Sequence, residues 1–197
     1  MLLFETIQIF NGKLKNIELH QERLNNSYYY FYQKQCKYNL KELIYNNIIE
    51  SIGKYKCRFC YDENNYSIEI IEYFPKKINS LKLVYCDLIE YEHKFTNRKS
   101  IENLLEKKEN CDDIIIVKNG FISDSSYANL IFYDGKNYYT PKHSLLKGTM
   151  RKYLLENKMI YEAEIRPKDL EYYKFVKMIN AMLDLEESKP IMNFANI

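Results

Sequence analysis

The sequence is poor in the features that mark membrane, secreted and nucleic-acid-binding proteins. No run of about 18 apolar residues is present, so we expect no transmembrane helix. The 29 basic and 27 acidic residues give a net charge of +2, and no basic block stands out. These charges argue against a nucleic-acid or membrane partner. The opening residues MLLFETIQIF contain an acid and no basic leader, so we expect no signal peptide and a cytoplasmic protein.

The spacing of the cysteines and histidines also gives no set of metal ligands. The five cysteines are odd in number and irregularly spaced, which favours reduced thiols over a disulfide framework. Cys57 and Cys60 resemble half of a zinc site, but residues three apart on a strand point to opposite faces, and no second pair follows. The histidines, His20, His93 and His143, lack metal-ligand spacing. We therefore expect no metal centre.

Arginine is scarce. Of the 29 basic residues only five are arginines: Arg23, Arg58, Arg98, Arg151 and Arg166. A chain that uses lysine for general charge is expected to keep arginine for geometric tasks, because the planar guanidinium binds phosphate or carboxylate through two hydrogen bonds.

Periodicity predicts a mixed helix and strand protein in two parts. Leu3–Phe10 alternates like a strand and turns at Asn11-Gly12, and a helix is expected from Glu18 onward. Further helices are predicted over 40–52, 148–158 and 167–173, and further strands over 13–17, 55–61, 66–74, 81–89, 113–117, 137–140, 160–165 and 175–183. The proline-led segment 75–80 is the best linker, so we place a domain boundary between 1–75 and 81–197.

The most informative stretch runs from His93 to Phe132. Lys94 precedes a predicted helix, which is followed by the apolar strand Asp113–Val117. Asn119-Gly120 then predicts a hairpin whose second strand carries Asp124. This order allows tertiary structure to bring one amine and one carboxylate to the same place.

These motifs resemble those of the class IV aminotransferases, the fold type IV enzymes that use pyridoxal 5'-phosphate (PLP). The resemblance covers roughly residues 4–191 and is closest to the aminodeoxychorismate lyase branch. Four motifs occur in the family's order: His20-x-x-Arg23-Leu24 after an entry hairpin with Phe4-Glu5, Lys94-Phe95-Thr96-Asn97-Arg98, Ser123-Asp124 with Ala128-Asn129-Leu130-Ile131-Phe132, and Gly148-Thr149-Met150-Arg151. Ile179-Asn180-Ala181-Met182 resembles the Asn-Ala strand end of the lyases.

The resemblance implies a shortened α+β, two-domain enzyme. A small α/β N-terminal domain would be followed by a C-terminal pseudo-barrel domain that carries the Schiff-base lysine, and a homodimer is expected. The implied reaction converts the small-molecule substrate 4-amino-4-deoxychorismate into 4-aminobenzoate and pyruvate. An aminotransferase for branched-chain or D-amino acids is the alternative, and a non-catalytic protein that keeps the fold is a third reading.

The resemblance also implies roles for particular residues. Lys94 would form the Schiff base with PLP and act as the catalytic base. The expected cofactor-binding set comprises Arg23 for the phosphate, Asp124 for the ring nitrogen, the amides of Thr149 and Met150 for the phosphate, and also Lys94, Asn97, Asn180 and Ala181.

At one position the sequence departs from the family pattern, which has Glu where Asp124 stands. Aspartate is one methylene shorter. The ring would therefore lie about 1 Å closer, or a water would bridge, or the ring would be a weaker electron sink. By residue type alone, Ser123-Asp124-Ser125-Ser126 is more commonly a hydroxyl-rich turn with an aspartate cap.

Overall fold

The computed structural model describes residues 1–47 and 52–194, which group into two compact units. Unit 1 contains the described part of Met1–Pro75 together with His93–Asn97. Unit 2 contains Lys76–Glu92 and the described residues from Arg98 onward. The folding of these units as separate domains stays a prediction.

Unit 1 is an antiparallel sheet covered by helices. Its elements are β1 (Leu3–Phe10), β2 (Lys13–Leu14), α1 (Ile17–Tyr32), α2 (Leu40–Tyr45), β3 (Lys54–Tyr61) and β4 (Tyr66–Glu72). The strand order is β2-β1-β3-β4. The Asn11-Gly12 turn forms as predicted, since both residues take positive φ angles, 48° and 73°. The predicted helix over 40–52 lies partly outside the described residues.

One face of the unit 1 sheet packs on α1. Leu3, Ile7 and Ile9 alternate along β1 and are buried with Leu24 and Tyr28 of the helix. Glu5 has the same parity as these apolar residues, so its carboxylate is carried into the same buried layer. That placement gives the unit a buried charge.

The segment that carries Lys94 groups with unit 1, whereas the sequence-based expectation placed it in the C-terminal domain, and that domain assignment stays a prediction. The Phe4 amide donates to the Lys94 carbonyl at 2.9 Å, and Leu3 forms an antiparallel bridge with Phe95. The physical reason is an edge left open on β1, because β2 pairs only with Ile9 and Phe10. The segment around Lys94 takes up the unpaired backbone groups at the start of β1.

Unit 2 begins with a parallel strand pair joined by a helix. The elements are β5 (Leu81–Tyr85), α3 (Lys99–Leu105), β6 (Asp113–Lys118) and the short β7 (Phe121–Ile122). β5 pairs with β6 in parallel, and β6 turns through Asn119-Gly120 into β7. The buried run Ile114–Val117 is apolar on both faces, as a central parallel strand requires.

The predicted strand after Gly120 divides into two. β7 ends at Ile122, and β8 (Asn129–Tyr133) lies in a different sheet. Between them the Ser125 hydroxyl accepts from the Ala128 amide at 3.0 Å, and the Ser125 amide donates to the Ala128 carbonyl at 2.9 Å. This serine turn reverses the chain, so Asp124 and Asn129 face each other in an isolated antiparallel bridge.

The second sheet of unit 2 has the strand order β10-β9-β8-β11. Its other elements are β9 (Tyr138–Pro141), α4 (Thr149–Glu156), β10 (Tyr161–Ala163), a 3-10 helix (Pro167–Tyr172) and β11 (Phe175–Ile179). The predicted elements are confirmed in kind, although several are shorter than expected. Within 1–47 and 52–194, no helix is both long and apolar enough to cross a membrane.

Candidate functional site

In unit 1, a buried carboxylate holds the first predicted site residue. Arg23 lies on α1, and its Nε and Nη2 donate to Oε1 and Oε2 of Glu5 at 2.8 and 2.5 Å. The Glu5 side chain is 1% exposed and that of Arg23 is 16% exposed. Burial alone would raise the pKa of Glu5, but the charge of Arg23 and the hydrogen bonds from His20 and Arg23 outweigh it and hold the pKa at about 2. Glu5 is therefore ionised at neutral pH.

His20 completes this buried cluster. Its Nδ1 lies 2.7 Å from Oε2 of Glu5, one helical turn before Arg23 on the same face of α1. Burial lowers the pKa of His20, Glu5 raises it, and the charges of Arg23 and Lys94 lower it further, with a net decrease. A neutral imidazole that donates from Nδ1 to the carboxylate fits this balance.

Lys94 lies near an aromatic ring that a second cation also contacts. Its Nζ is 4.6 Å from the centroid of the Phe4 ring, and the Cζ of Arg58 is 4.5 Å from the same centroid. Phe4 is 5% exposed. The faces of the Phe4 ring attract cations, so the ring helps to hold both charged groups in place. Asn97, three residues after Lys94, is exposed at the end of the same segment.

In unit 2, Asp124 is fixed on both carboxylate oxygens. Its Oδ1 accepts from the Nδ2 of Asn129 at 2.7 Å, and its Oδ2 accepts from the Leu146 amide at 3.0 Å. Its backbone is fixed as well, because the Ile116 amide donates to its carbonyl at 2.8 Å. The residue is 5% exposed.

The electrostatics of Asp124 fit a cationic partner. Burial raises its pKa to about 6, although hydrogen bonds from Leu146 and Asn129 and the charge of Arg151 all oppose the rise. The neutralisation that Asp124 receives within unit 2 is therefore incomplete. A protonated pyridine nitrogen would supply the missing positive charge, so this carboxylate fits the ring of PLP.

The start of α4 has a different arrangement from the one expected for a simple phosphate loop. A Cβ on Gly148 would lie 2.0 Å from Oδ1 of Asn129, so the glycine makes room for a side chain. Thr149 and Met150 are buried, and Met150 packs among apolar residues such as Ile131 and Leu154. Their backbone amides, at the first turn of the helix, suit phosphate binding.

Asn180 and Ala181 follow β11 in a tight turn. The Asn180 amide donates to the Leu183 carbonyl at 2.9 Å, and its Oδ1 accepts from the Met182 amide at 2.8 Å. The Asn180 side chain thus stabilises the turn itself. Its expected contact with a cofactor stays a prediction.

Sequence reasoning assigned no role to three residues that the structure places at these sites: Glu5, His20 and Asn129. A signal existed for Glu5, since an acid at the parity of Leu3 and Ile7 on a buried strand needs a partner. His20 and Arg23, three apart on a helix, could have suggested that partner. No local signal points from Asn129 to Gly148.

Comparison with known proteins places the chain in a family. Residues 2–185 match the family described as amino-transferase class IV, and the chain belongs to that family. A protein of Haemophilus influenzae, described as uncharacterized, is 40% identical over 182 residues, which are 91% of this chain and 97% of that protein. Enzymes of the family are PLP-dependent aminotransferases and lyases with small-molecule substrates.

Solved structures show the same fold. The crystal structure of a "putative 4-amino-4-deoxychorismate lyase" from Haemophilus somnus 129PT has a TM-score of 0.89 and 39% identity, covering 93% of this chain and 97% of that chain. The branched-chain amino acid aminotransferase of Escherichia coli has a TM-score of 0.73 at 16% identity, covering 98% and 76%. A PLP-bound aminotransferase, described as hypothetical, from Mycobacterium tuberculosis has a TM-score of 0.78 at 14% identity, covering 98% and 81%. These last two show the fold alone.

Proposed function

We propose that this class IV chain is a PLP-dependent lyase that converts 4-amino-4-deoxychorismate into 4-aminobenzoate and pyruvate. The observation that supports this most is the likeness to the Haemophilus somnus protein, which extends over nearly the whole of both chains. The sequence supplies the residues that such an enzyme needs in Lys94, Arg23 and Asp124. The product would serve folate biosynthesis, and we propose a cytoplasmic homodimer.

PLP, when bound, would supply an electron sink that stabilises a carbanion next to the substrate nitrogen. Lys94 would attach it covalently through Nζ and then accept and return a proton at the substrate as general base and acid. The short segment of Lys94 is paired with the edge of β1, so the amine is presented from a fixed backbone. The ring of Phe4 would help to position the amine.

Arg23 would bind the phosphate through its guanidinium. Glu5 accepts hydrogen bonds from Nε and Nη2 of Arg23, and these bonds fix the plane and direction of the guanidinium. The amides of Thr149 and Met150 would add donors at the helix start, where the dipole favours an anion. Asn97, Asn180 and Ala181 would line the rest of the site.

Asp124 would hold the proton of the ring nitrogen. Its buried carboxylate already lacks full neutralisation, so pairing with a cation stabilises its ionised form. The aspartate is held by two donors in a tight turn, which gives the shorter side chain a defined position.

An aminotransferase for branched-chain or D-amino acids is the second candidate, favoured by the family to which residues 2–185 belong. Lyase and transaminase would share Lys94, Asp124 and the phosphate site. They differ in the substrate and in the proton transfers that follow, so the products distinguish them. A non-catalytic protein that keeps the fold is the third candidate.

The test uses purified protein supplied with PLP. We expect absorbance near the visible edge that bleaches with borohydride, and pyruvate and 4-aminobenzoate from aminodeoxychorismate. The control variant Lys99→Ala keeps this activity, whereas Lys94→Ala loses it. Transfer between amino acid and keto acid pairs without pyruvate release would support the transaminase. A protein that binds no PLP would refute both enzymatic proposals.

A further inference from the structure

Asn129 joins Asp124 to the loop before α4. This residue, at the first position of β8, is 6% exposed. Its Nδ2 donates to Oδ1 of Asp124 at 2.7 Å and also to the Leu146 carbonyl at 2.9 Å. The Leu146 amide donates back to the other oxygen of Asp124 at 3.0 Å. Three residues thus form a closed set of hydrogen bonds around one buried carboxylate.

Gly148 gives the Asn129 carboxamide its space. An added Cβ would lie 2.0 Å from Oδ1 and 3.2 Å from Cγ of Asn129, far inside van der Waals contact. The backbone of Gly148 has φ −67° and ψ 145°, which any residue adopts. Space is therefore the reason for a glycine here, and the reason is specific to the asparagine.

The identity of the Asn129 atoms follows from the network. Both groups that face its Nδ2, the Asp124 carboxylate and the Leu146 carbonyl, are acceptors. A donor aimed at a buried carboxylate stabilises the charged form more than the protonated form. The charge of the Arg151 guanidinium acts on Asp124 in the same direction as the Asn129 donor. Asn129 thus orients the Asp124 carboxylate and also favours its ionised form.

We propose that Asn129 is a positioning residue that orients the Asp124 carboxylate and keeps it ionised, and that Gly148 is required because it admits the Asn129 carboxamide. The catalytic meaning of this arrangement rests on the proposed function, in which Asp124 holds the proton of the ring nitrogen. The arrangement itself concerns the protein without PLP and can be tested there.

The first test measures the titration of Asp124 in the cofactor-free protein by carbon NMR of side-chain carboxyls, with Asp124→Asn to assign the signal. Asn129→Ala should raise its midpoint by about one pH unit or more, because a hydrogen bond to a charge is lost. Asn129→Asp keeps the shape but replaces the donor by an acid, and it should raise the midpoint of the coupled pair further. The control Asn157→Ala, at an exposed asparagine beyond α4, should change nothing. An unchanged midpoint in Asn129→Ala overturns the charge role.

The second test is a double-mutant cycle on thermal unfolding of the same cofactor-free protein. Gly148→Ala in the natural background should lower the Tm by roughly 2–10 °C, because the methyl group meets the carboxamide. In the Asn129→Ala background the space is empty, and the same change should cost much less. Equal losses in both backgrounds would overturn the steric role of Asn129.

Measurements on the protein with PLP bound distinguish the positioning role of Asn129 from the proposed function. Asn129→Ala should still attach PLP at Lys94, detected as a borohydride-reduced adduct, while kcat falls and the pH profile moves with the Asp124 midpoint. Unchanged kcat and an unmoved profile would contradict the positioning role. If the natural protein bound no PLP, the proposed function would fail, whereas the titration and the double-mutant cycle would still decide what Asn129 and Gly148 do.

Discussion

Glu5 and Arg23 form a two-pronged ion pair inside unit 1, with Nε to Oε1 at 2.8 Å and Nη2 to Oε2 at 2.5 Å. The carboxylate is almost fully buried, and the pair joins β1 to α1. Arg23, which we expect to bind phosphate, therefore also stabilises the packing of α1 on β1. Variants at either residue therefore have to be read for stability as well as for cofactor binding.

Arg23→Ala should destabilise the protein and weaken PLP binding together. Removing one partner of a buried pair leaves the Glu5 carboxylate without its cationic partner, which costs about 3–5 kcal/mol in unfolding free energy. Loss of a charge-assisted phosphate contact should weaken PLP affinity about ten- to a hundred-fold. Urea unfolding and absorbance titration with PLP measure the two effects. Arg166→Ala, at an exposed arginine, is the matched control, and unchanged PLP affinity in Arg23→Ala would move the phosphate site elsewhere.

The ion pair should also make stability depend on pH in the acid range. The pKa of Glu5 is lowered from 4.5 to about 2, so its stabilisation is fully present above pH 4.5 and is lost as the pH falls through 2. A shift of this size corresponds to about 3 kcal/mol. The difference in unfolding free energy between the natural protein and Glu5→Gln should shrink as the pH falls over this range. A difference that is the same at pH 6 and pH 2.5 would contradict the assignment.

Asp124 should make the stability of the cofactor-free protein depend on pH in the opposite direction. Its pKa is raised from 3.8 to about 6, so the folded state binds the proton more tightly than the unfolded chain. Stability should therefore fall by about 3 kcal/mol as the pH rises from 3.8 to 6. Asp124→Asn should remove that slope. Saturating PLP should reduce the loss at pH 7 in the natural protein, because the ring nitrogen would neutralise the carboxylate.

Substitutions at Asp124 should also change turnover. Asp124→Asn should lower kcat by orders of magnitude while PLP still binds, because the ring nitrogen loses its anionic partner. Asp124→Glu should lower activity as well, since both oxygens of the aspartate are already placed by Leu146 and Asn129 and a further methylene would overpack the turn. Steady-state kinetics at saturating PLP measures both variants. Natural turnover in Asp124→Asn would reduce Asp124 to a turn residue, and a gain in Asp124→Glu would indicate a site better fitted to glutamate.

Lys94→Ala should abolish covalent attachment of PLP and leave the protein folded, because the amine forms the bond and little packing depends on it. Peptide mapping after borohydride reduction should find the adduct on Lys94 in the natural protein and no adduct in the variant. Lys99→Ala, five residues along the chain, serves as the control. An adduct mapped to Lys99 or Lys147 would refute the assignment.

The sequence by itself determined the order of elements and the family. Alternation predicts β1, and the Asn-Gly pairs predict both tight turns, since these signals depend on neighbours along the chain. The motifs around Lys94, Asp124 and Gly148 occur in the family's order, and the match over residues 2–185 confirms the family. The roles of the individual site residues stay predictions.

Tertiary structure decided which groups meet. Glu5 and Arg23 are 18 residues apart, and Asn129 and Leu146 are 17 apart, so no helical or strand period relates them. The pairing of the Lys94 segment with β1 depended on an edge that the short β2 leaves open. The serine turn that divides the strand after Gly120 brought Asn129 to Asp124, and the lack of a side chain on Gly148 made room for it. Such contacts depend on packing between distant segments, which local sequence patterns do not encode.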